Sequence, residues 1–282
     1  MTVVIATIYN KGNTENSGCI IIADKMLSYR DIAVETEGSK LHKLVDLPGL
    51  KAVMGAAGAA ELIEDFSQRL QEKIENSLSS SVEERKIKTV RDVVKLGVRT
   101  LNGMIKENME SFLIPYGMTL KDVYKQSVPP DFLLTVGKRL EDYRKELYQE
   151  LEVLIAGVDT YGAHIFKVVD GDYVPTDSIG YDAVGSGFES SNWTLMHQSY
   201  DSRSDLPYAL FMSAYAKVNA EESLGVGMKT DGYVLERIGI RELKDDEIDL
   251  LRSKIDKMIG EEKKMKEEYV TEFKKIYKEV RS

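Results

Sequence analysis

The sequence predicts an α+β fold in which two sheets lie between layers of helix. Three observations lead there. The first sixty residues hold short apolar, β-branched runs separated by Gly and Asn; the next ninety switch to apolar residues three and four apart; and from about residue 152 strands, helices and strands return. A chain of 282 residues can bury a sizeable core as one domain with additions, or as two small domains.

Taken in order, Thr2 opens the run Val3 to Ile8, and a polar stretch from Asn10 to Ser17 separates it from Gly18 to Asp24, the pattern of a hairpin. Tyr29 to Ser39 is polar with scattered β-branched residues and leads to Lys40 on a returning strand. Lys51 to Gly58 is a small-residue strand feeding a helix from about Ala59, with Leu62, Ile63, Phe66, Leu70 and Ile74 as its apolar positions. After a Ser-rich break a second helix is predicted over Val82 to Glu110, and Ile114 to Pro130 reads as a loop. A charged helix follows over Lys138 to Glu150.

Strands are predicted over Glu152 to Val158 and Ala163 to Val169, then a turn at Asp170-Gly171-Asp172 and a short run to Val184. Helices follow over Phe188 to Tyr200 and from Ser204 or Asp205, each a fitting N-cap ahead of Pro207. The second of these shows Leu206, Leu210, Phe211, Ala214 and Val218 as its apolar side. Two strands, Gly225 to Lys229 and Tyr233 to Ile240, are expected to flank a turn at Thr230-Asp231-Gly232. From Leu243 onward a densely charged amphipathic helix or helix pair is expected, with Gly260 as a break; packing on its own subunit and docking on a partner both fit its stripe.

The chemistry concentrates near the N-terminus. Met1 precedes a small residue, so an aminopeptidase is expected to remove it and leave Thr2 with a free α-amine, a hydroxyl nucleophile and a base on one residue. A nearby Lys favours loss of a proton from both groups, a carboxylate holds that Lys, and backbone N–H groups at a Gly-rich strand end stabilise an oxyanion. Thr2, Asp24, Lys40 and Gly55 supply those four parts. Each has a plainer reading: a first-strand residue, an ion pair at strand ends, and tight packing at Gly55 and Gly58.

Residues Thr2-Val3-Val4, Ile22-Ala23-Asp24-Lys25-Met26, Ser39-Lys40-Leu41 and the turn from Gly55 to Glu61 stand in an order that continues through Leu154 to Asp159, Ala183 to Gly187 and Thr230 to Val234. In these anchors the chain resembles the catalytic β-type subunits of the proteasome and their bacterial two-ring relatives, within the N-terminal-nucleophile (Ntn) hydrolases. The resemblance covers most of residues 2–240. It implies a four-layer α-β-β-α sandwich over 1–242, with a helical insertion at about 111–150 and a helical tail, 243–282, that such subunits lack. It implies a threonine peptidase acting on peptide or unfolded protein, working as a homo-oligomer such as a ring.

By resemblance Lys40 lowers the relevant pKa values, Asp24 orients Lys40, the Gly55 N–H binds the oxyanion and Ser186 stands beside the nucleophile's amine; Ser186 also reads as an ordinary Gly-Ser-Gly turn. Glu221 takes the place of an acid, with Glu222 equally near, while Leu224 replaces the serine expected three positions on. Ser28 and Ala57 mark the edges between which an extended substrate adds, and Val53 a specificity position. Two alternatives accompany the peptidase reading: a peptide ligase of the connectase type, whose acyl-enzyme is resolved by an amine, and a non-catalytic assembly subunit comparable to α-type proteasome subunits.

Other classes are disfavoured. A net charge of −9 argues against nucleic acid as main partner. One cysteine, Cys19, forms no internal disulfide framework and fits a reducing cytoplasm. No signal segment or apolar run of membrane-spanning length is read. His42, His164 and His197 lack metal spacing, Gly225-Val226-Gly227 lacks the remainder of a dinucleotide fingerprint, and no P-loop is present, so no metal or cofactor is expected.

Overall fold

The computed structural model describes residues 2–29, 32–35, 38–79, 87–125, 129–148 and 151–281. The chain divides after Glu242 into two compact units. In the first, strands β1 (Val4–Tyr9) and β2 (Gly18–Asp24) form the expected hairpin, with β3 (Met26–Tyr29) and β4 (Ile32–Glu35) as a separate two-stranded ribbon. Strands β5 (Leu41–Leu47), β6 (Leu50–Ala57), β7 (Glu152–Asp159), β8 (Gly162–Val169) and β9 (Asp172–Pro175) make one five-stranded antiparallel sheet in sequence order. The other combines β10 (Tyr181–Val184), β1, β2, β11 (Thr230–Glu236) and β12 (Gly239–Glu242), again antiparallel throughout.

Alternation along β6 shows how the sheets are used. Val53 and Ala57 point into an apolar core shared with Val4, Ala6, Ile21 and Leu154, whereas Ala52, Met54 and Ala56 face the opposite way. That second face packs on Phe66, Leu70 and Ile74 of helix α1 (Ala60–Leu78) and on Val93, Val94 and Leu101 of α2 (Val90–Leu113). Helices α5 (Phe188–His197) and α6 (Leu206–Ala220) lie against β10, β1 and β2. Strands covered on both faces need apolar side chains at every position, which is why β1 and β2 read as unbroken runs. Cys19 sits in the core between the sheets, where burial pushes its thiol up to about 12 and its Sγ donates to Gly157 O.

Several expectations are corrected. Thr230-Asp231-Gly232 is not a turn: Asp231 pairs with Ala23 inside β11, and the reversal falls at Arg237-Ile238, so Gly225 to Lys229 is loop. The Asp-Gly signal misleads here because the Asp231 carboxylate folds back onto the Gly232 N–H without reversing the chain. Helix α6 buries Ala209, Met212, Ser213, Tyr215, Ala216, Lys217 and Ala220, whereas Leu206, Leu210, Phe211, Ala214 and Val218, the side read from the sequence, are only partly buried. Small residues let the helix approach β1 closely enough for Ser213 Oγ to meet Thr7 Oγ1 at 2.8 Å.

The second helix begins at Val90, where Thr89 and Asp92 form a reciprocal cap; residues 82–86 of its expected start lie outside the described residues. The segment read as a loop contains a single 3₁₀ turn (Ile114–Tyr116) and α3 (Leu120–Tyr124), and α4 (Pro130–Tyr148) starts at Pro130, which is tolerated in a first turn. Leu113, Met118, Leu120, Val136 and Leu140 give these pieces a small core of their own.

The second unit is one helix, α7 (Asp245–Arg281), continuous through Gly260, whose cost of about 1 kcal/mol relative to Ala does not break it. Met265, Tyr269, Phe273 and Ile276 on it are each at least half exposed. Among the described residues no helix is long and apolar enough to cross a membrane.

Candidate active site

The hairpin register assembles the site. Val4 pairs with Ala23, so the residues just beyond, Thr2 and Val3 on one strand and Asp24 on the other, meet at the same sheet end. Asp24 is fully buried. Its Oδ1 accepts from Thr2 Oγ1 at 2.5 Å and Val3 N at 2.8 Å, and its Oδ2 accepts from Met26 N at 3.0 Å and Gly227 N at 3.1 Å.

Lys40 reaches this point through Gly55. Leu41 pairs with Gly55, and a Cβ on Gly55 would stand 2.5 Å from Val4 Cγ1 and 2.8 Å from Leu41 Cδ2. Only glycine lets the starts of β1 and β5 close over β6 this tightly. Lys40 Nζ then lies 3.0 Å from both Asp24 oxygens and donates to Thr2 Oγ1. Its side chain is 10% exposed. Burial holds its pKa below the ordinary lysine value, with Asp24 pulling the other way.

The turn before α5 closes the remaining side of Thr2. Thr2 N donates to Ser186 Oγ at 3.1 Å, while Ser186 Oγ and Gly187 N donate to Thr2 O, each at 3.2 Å. Gly185 has φ +90°, and a Cβ there would lie 2.4 Å from Thr2 O. Its N–H is held by Glu152 Oε2 at 3.0 Å, and Glu152 is ion-paired with Lys167.

Thr2, Asp24, Lys40 and Ser186 are thus brought within hydrogen-bond distance of one another or of a shared neighbour. The remaining expected residues are placed differently. Gly55 lies inside β6, paired on both sides by Leu41 and Leu154, so its N–H faces a ladder rather than a cavity. Val53 is fully buried in the core between the sheets and is not among the residues lining the cavity beside Thr2. Glu221 stands at the end of α6, its carboxylate bonded to Lys217 at 2.5 Å, with no hydrogen bond to Thr2 N among those of the described residues. Ser28 lies on β3 opposite Ala33, its side chain outside the described part, as is Met1.

A cavity of about 610 Å³ opens beside Thr2, lined among others by Met26, Ala56, Ala57, Gly58 and Ile63, with His42 and the carboxylates of α1 at its edge. Gly58 takes φ +135° at the turn from β6 into α1, and that helix has no side-chain cap on its first N–H groups. Sequence reasoning missed Gly58 as a site residue, and also Lys217, Gly227 and Glu152. The signal for Gly58 was its place at the strand-to-helix turn; for the others the sequence carried none.

Of the histidines, His164 stands between Asp177 (2.7 Å) and Asp159 (3.3 Å), which raise its pKa to about 9 against the effect of burial. His42 is lowered by burial. Among the described residues no group of three His, Cys, Asp or Glu side chains is arranged to hold a metal ion.

No protein-family model and no curated protein sequence matches the chain. Solved structures do. An Anbu (ancestral beta-subunit) from Yersinia bercovieri superposes with a TM-score of 0.63 at 13% identity, over 92% of this chain and 95% of that one. An Anbu (Gly-1) mutant from Hyphomicrobium sp. strain MC1 gives 0.61 at 14% identity, over 93% and 96%. These neighbours correct the assignment to the catalytic proteasome β-type subunits: Anbu proteins are proteasome-like but distinct, and at 13–14% identity the relationship is a distant one of fold, which this chain shares over nearly its whole length.

Proposed function

We propose that the chain is an N-terminal threonine peptidase on a proteasome-like fold, acting after Met1 is removed. The observation that carries this reading is the setting of one hydroxyl, Thr2 Oγ1, against a buried carboxylate and a buried ammonium, with Thr2 N at Ser186 Oγ. In the proposed reaction Thr2 Oγ attacks a peptide carbonyl carbon as its own α-amine takes the hydroxyl proton. The C–O bond forms and the carbonyl oxygen becomes an oxyanion. Collapse breaks the C–N bond, the leaving amine takes the proton, and an ester on Thr2 remains; water then hydrolyses it to a carboxylic acid and restores the hydroxyl.

Lys40 stabilises negative charge developing on Oγ, and its own charge favours a neutral α-amine. Asp24 holds Lys40 and the first turn of chain in place. The oxyanion is assigned to backbone N–H groups at Gly58 and the uncapped start of α1, where the helix dipole adds to the field. An extended substrate would lie between Ala57 and the β3–β4 ribbon near Ser28, with a side chain in the cavity floored by Met26, Ala56 and Ile63. A four-layer stacking of the elements belongs to this reading, supported by helices against the outer faces of both sheets.

One observation favours a second reading. Glu221 is engaged by Lys217 and Leu224 offers no hydroxyl, so an assembly subunit without catalysis also accounts for the surroundings of the amine. Intact-mass analysis before and after an electrophile selective for N-terminal threonine separates the two. Loss of Met1 and a single adduct on Thr2, absent in Lys40→Ala, is the expected result; retained Met1 or an unreactive Thr2 rejects the peptidase. Adding an acceptor peptide tells water from an amine as the group that resolves the ester.

A further inference from the structure

Lys217 is a fully enclosed lysine, 1% exposed, on the face of α6 that packs against the sheet. Its ammonium hydrogen-bonds Glu221 Oε1 at 2.5 Å, Gly227 O at 2.8 Å and Met228 O at 2.7 Å. A lysine carries three donors and no acceptor, so it suits a site walled by a carboxylate and two carbonyls. Two successive carbonyls of the loop between α6 and β11 are therefore gripped by one buried cation. The same loop supplies the Gly227 N–H that Asp24 Oδ2 accepts, and Lys25 N bonds Lys229 O at its far end.

Burying an ammonium is costly and its charge is not needed to fill space, since a methionine would pack in the same volume. What the cation supplies is direction. The carbonyls of residues 227 and 228 must point into α6, and once they do, the Gly227 N–H is turned toward the sheet end where Asp24 lies. Resting on the peptidase reading, we infer that Lys217 is a positioning residue for the Thr2 site, acting through Gly227 on the carboxylate that holds Lys40 and Thr2.

The test uses the full chain and two readouts. The first is the rate of Thr2 modification by an N-terminal-threonine electrophile across its concentration range, separating the maximal rate from half-saturation. Lys217→Met is expected to lower the maximal rate about tenfold, the effect of losing one charge-assisted hydrogen bond, with half-saturation unchanged. The second is hydrogen exchange at the Gly227 amide, protected in the parent and fast in the variant. A folded Lys217→Met with parental rate and protection overturns the inference. If that variant does not fold, Gly227→Pro decides: it deletes the N–H and leaves both gripped carbonyls, and an undiminished rate overturns the inference. A parent protein with an unreactive Thr2 rejects the peptidase reading, while the exchange readout still reports whether Lys217 orients Gly227.

Discussion

Removing either partner of the Asp24–Lys40 pair is expected to abolish reaction at Thr2, yet the two changes differ in stability. Asp24 has four partners besides Lys40: the Thr2 hydroxyl and the N–H groups of Val3, Met26 and Gly227. In Lys40→Met the carboxylate keeps all four, so the loss is about 1.5–3 kcal/mol, that of a hydrogen bond to a charged group. In Asp24→Asn the Lys40 ammonium, 10% exposed, loses its only counter-charge among the described residues. The new amide also presents N–H groups to two of the existing donors. Leaving one member of a buried pair uncompensated costs about 3–5 kcal/mol. Urea denaturation with a common m-value measures both. Equal losses, or a larger loss for Lys40→Met, would refute the idea that backbone donors carry the carboxylate.

Three further outcomes are expected. His164 has a folded pKa of about 9 against an ordinary 6.5, so its contribution to stability, about 3 kcal/mol at one pKa unit per 1.4 kcal/mol, is complete below pH 6.5 and is lost as pH rises through about 9. Denaturation at pH 6 and pH 9.5 should show that fall, and His164→Gln should remove the difference; an unchanged difference in the variant contradicts the account. Gly185→Ala places a Cβ against Thr2 O at φ +90°, and should cost about 2 kcal/mol together with Thr2 reactivity, read by melting and adduct mass. Light scattering should return two or more times 31.8 kDa if the chain forms the homo-oligomer that the resemblance implies, and a monomer would remove that expectation.

What could be read in advance follows from where side chains point. The strands β1, β2 and β7 were legible because layers on both faces leave no polar positions to blur the pattern. Thr2, Asp24 and Lys40 were legible as a group because each stands at a strand end, where polar residues interrupt apolar runs. Gly55 was not, because its neighbours in the ladder and on Val4 are set by register, which one strand does not reveal. The buried side of α6 was hidden by a helix apolar on most sides, whose buried positions mix small residues such as Ala209 and Ala216 with Met212, Tyr215 and Lys217. Glu221 looked like a site acid by resemblance, three positions before Leu224, but its carboxylate is ion-paired with Lys217, one turn earlier.

The enclosure of Cys19 has a practical consequence. A thiol that burial pushes up to about 12 and that donates inward to Gly157 O is expected to stay unreactive toward alkylating reagents while the fold is intact. The protein is therefore expected to be silent to thiol-directed maleimides, so that no cysteine need be removed before labelling. A dye or spin label attached through one engineered surface cysteine would report from that place alone, and an adduct formed by an electrophile on the unmodified chain is not expected on the Cys19 thiol.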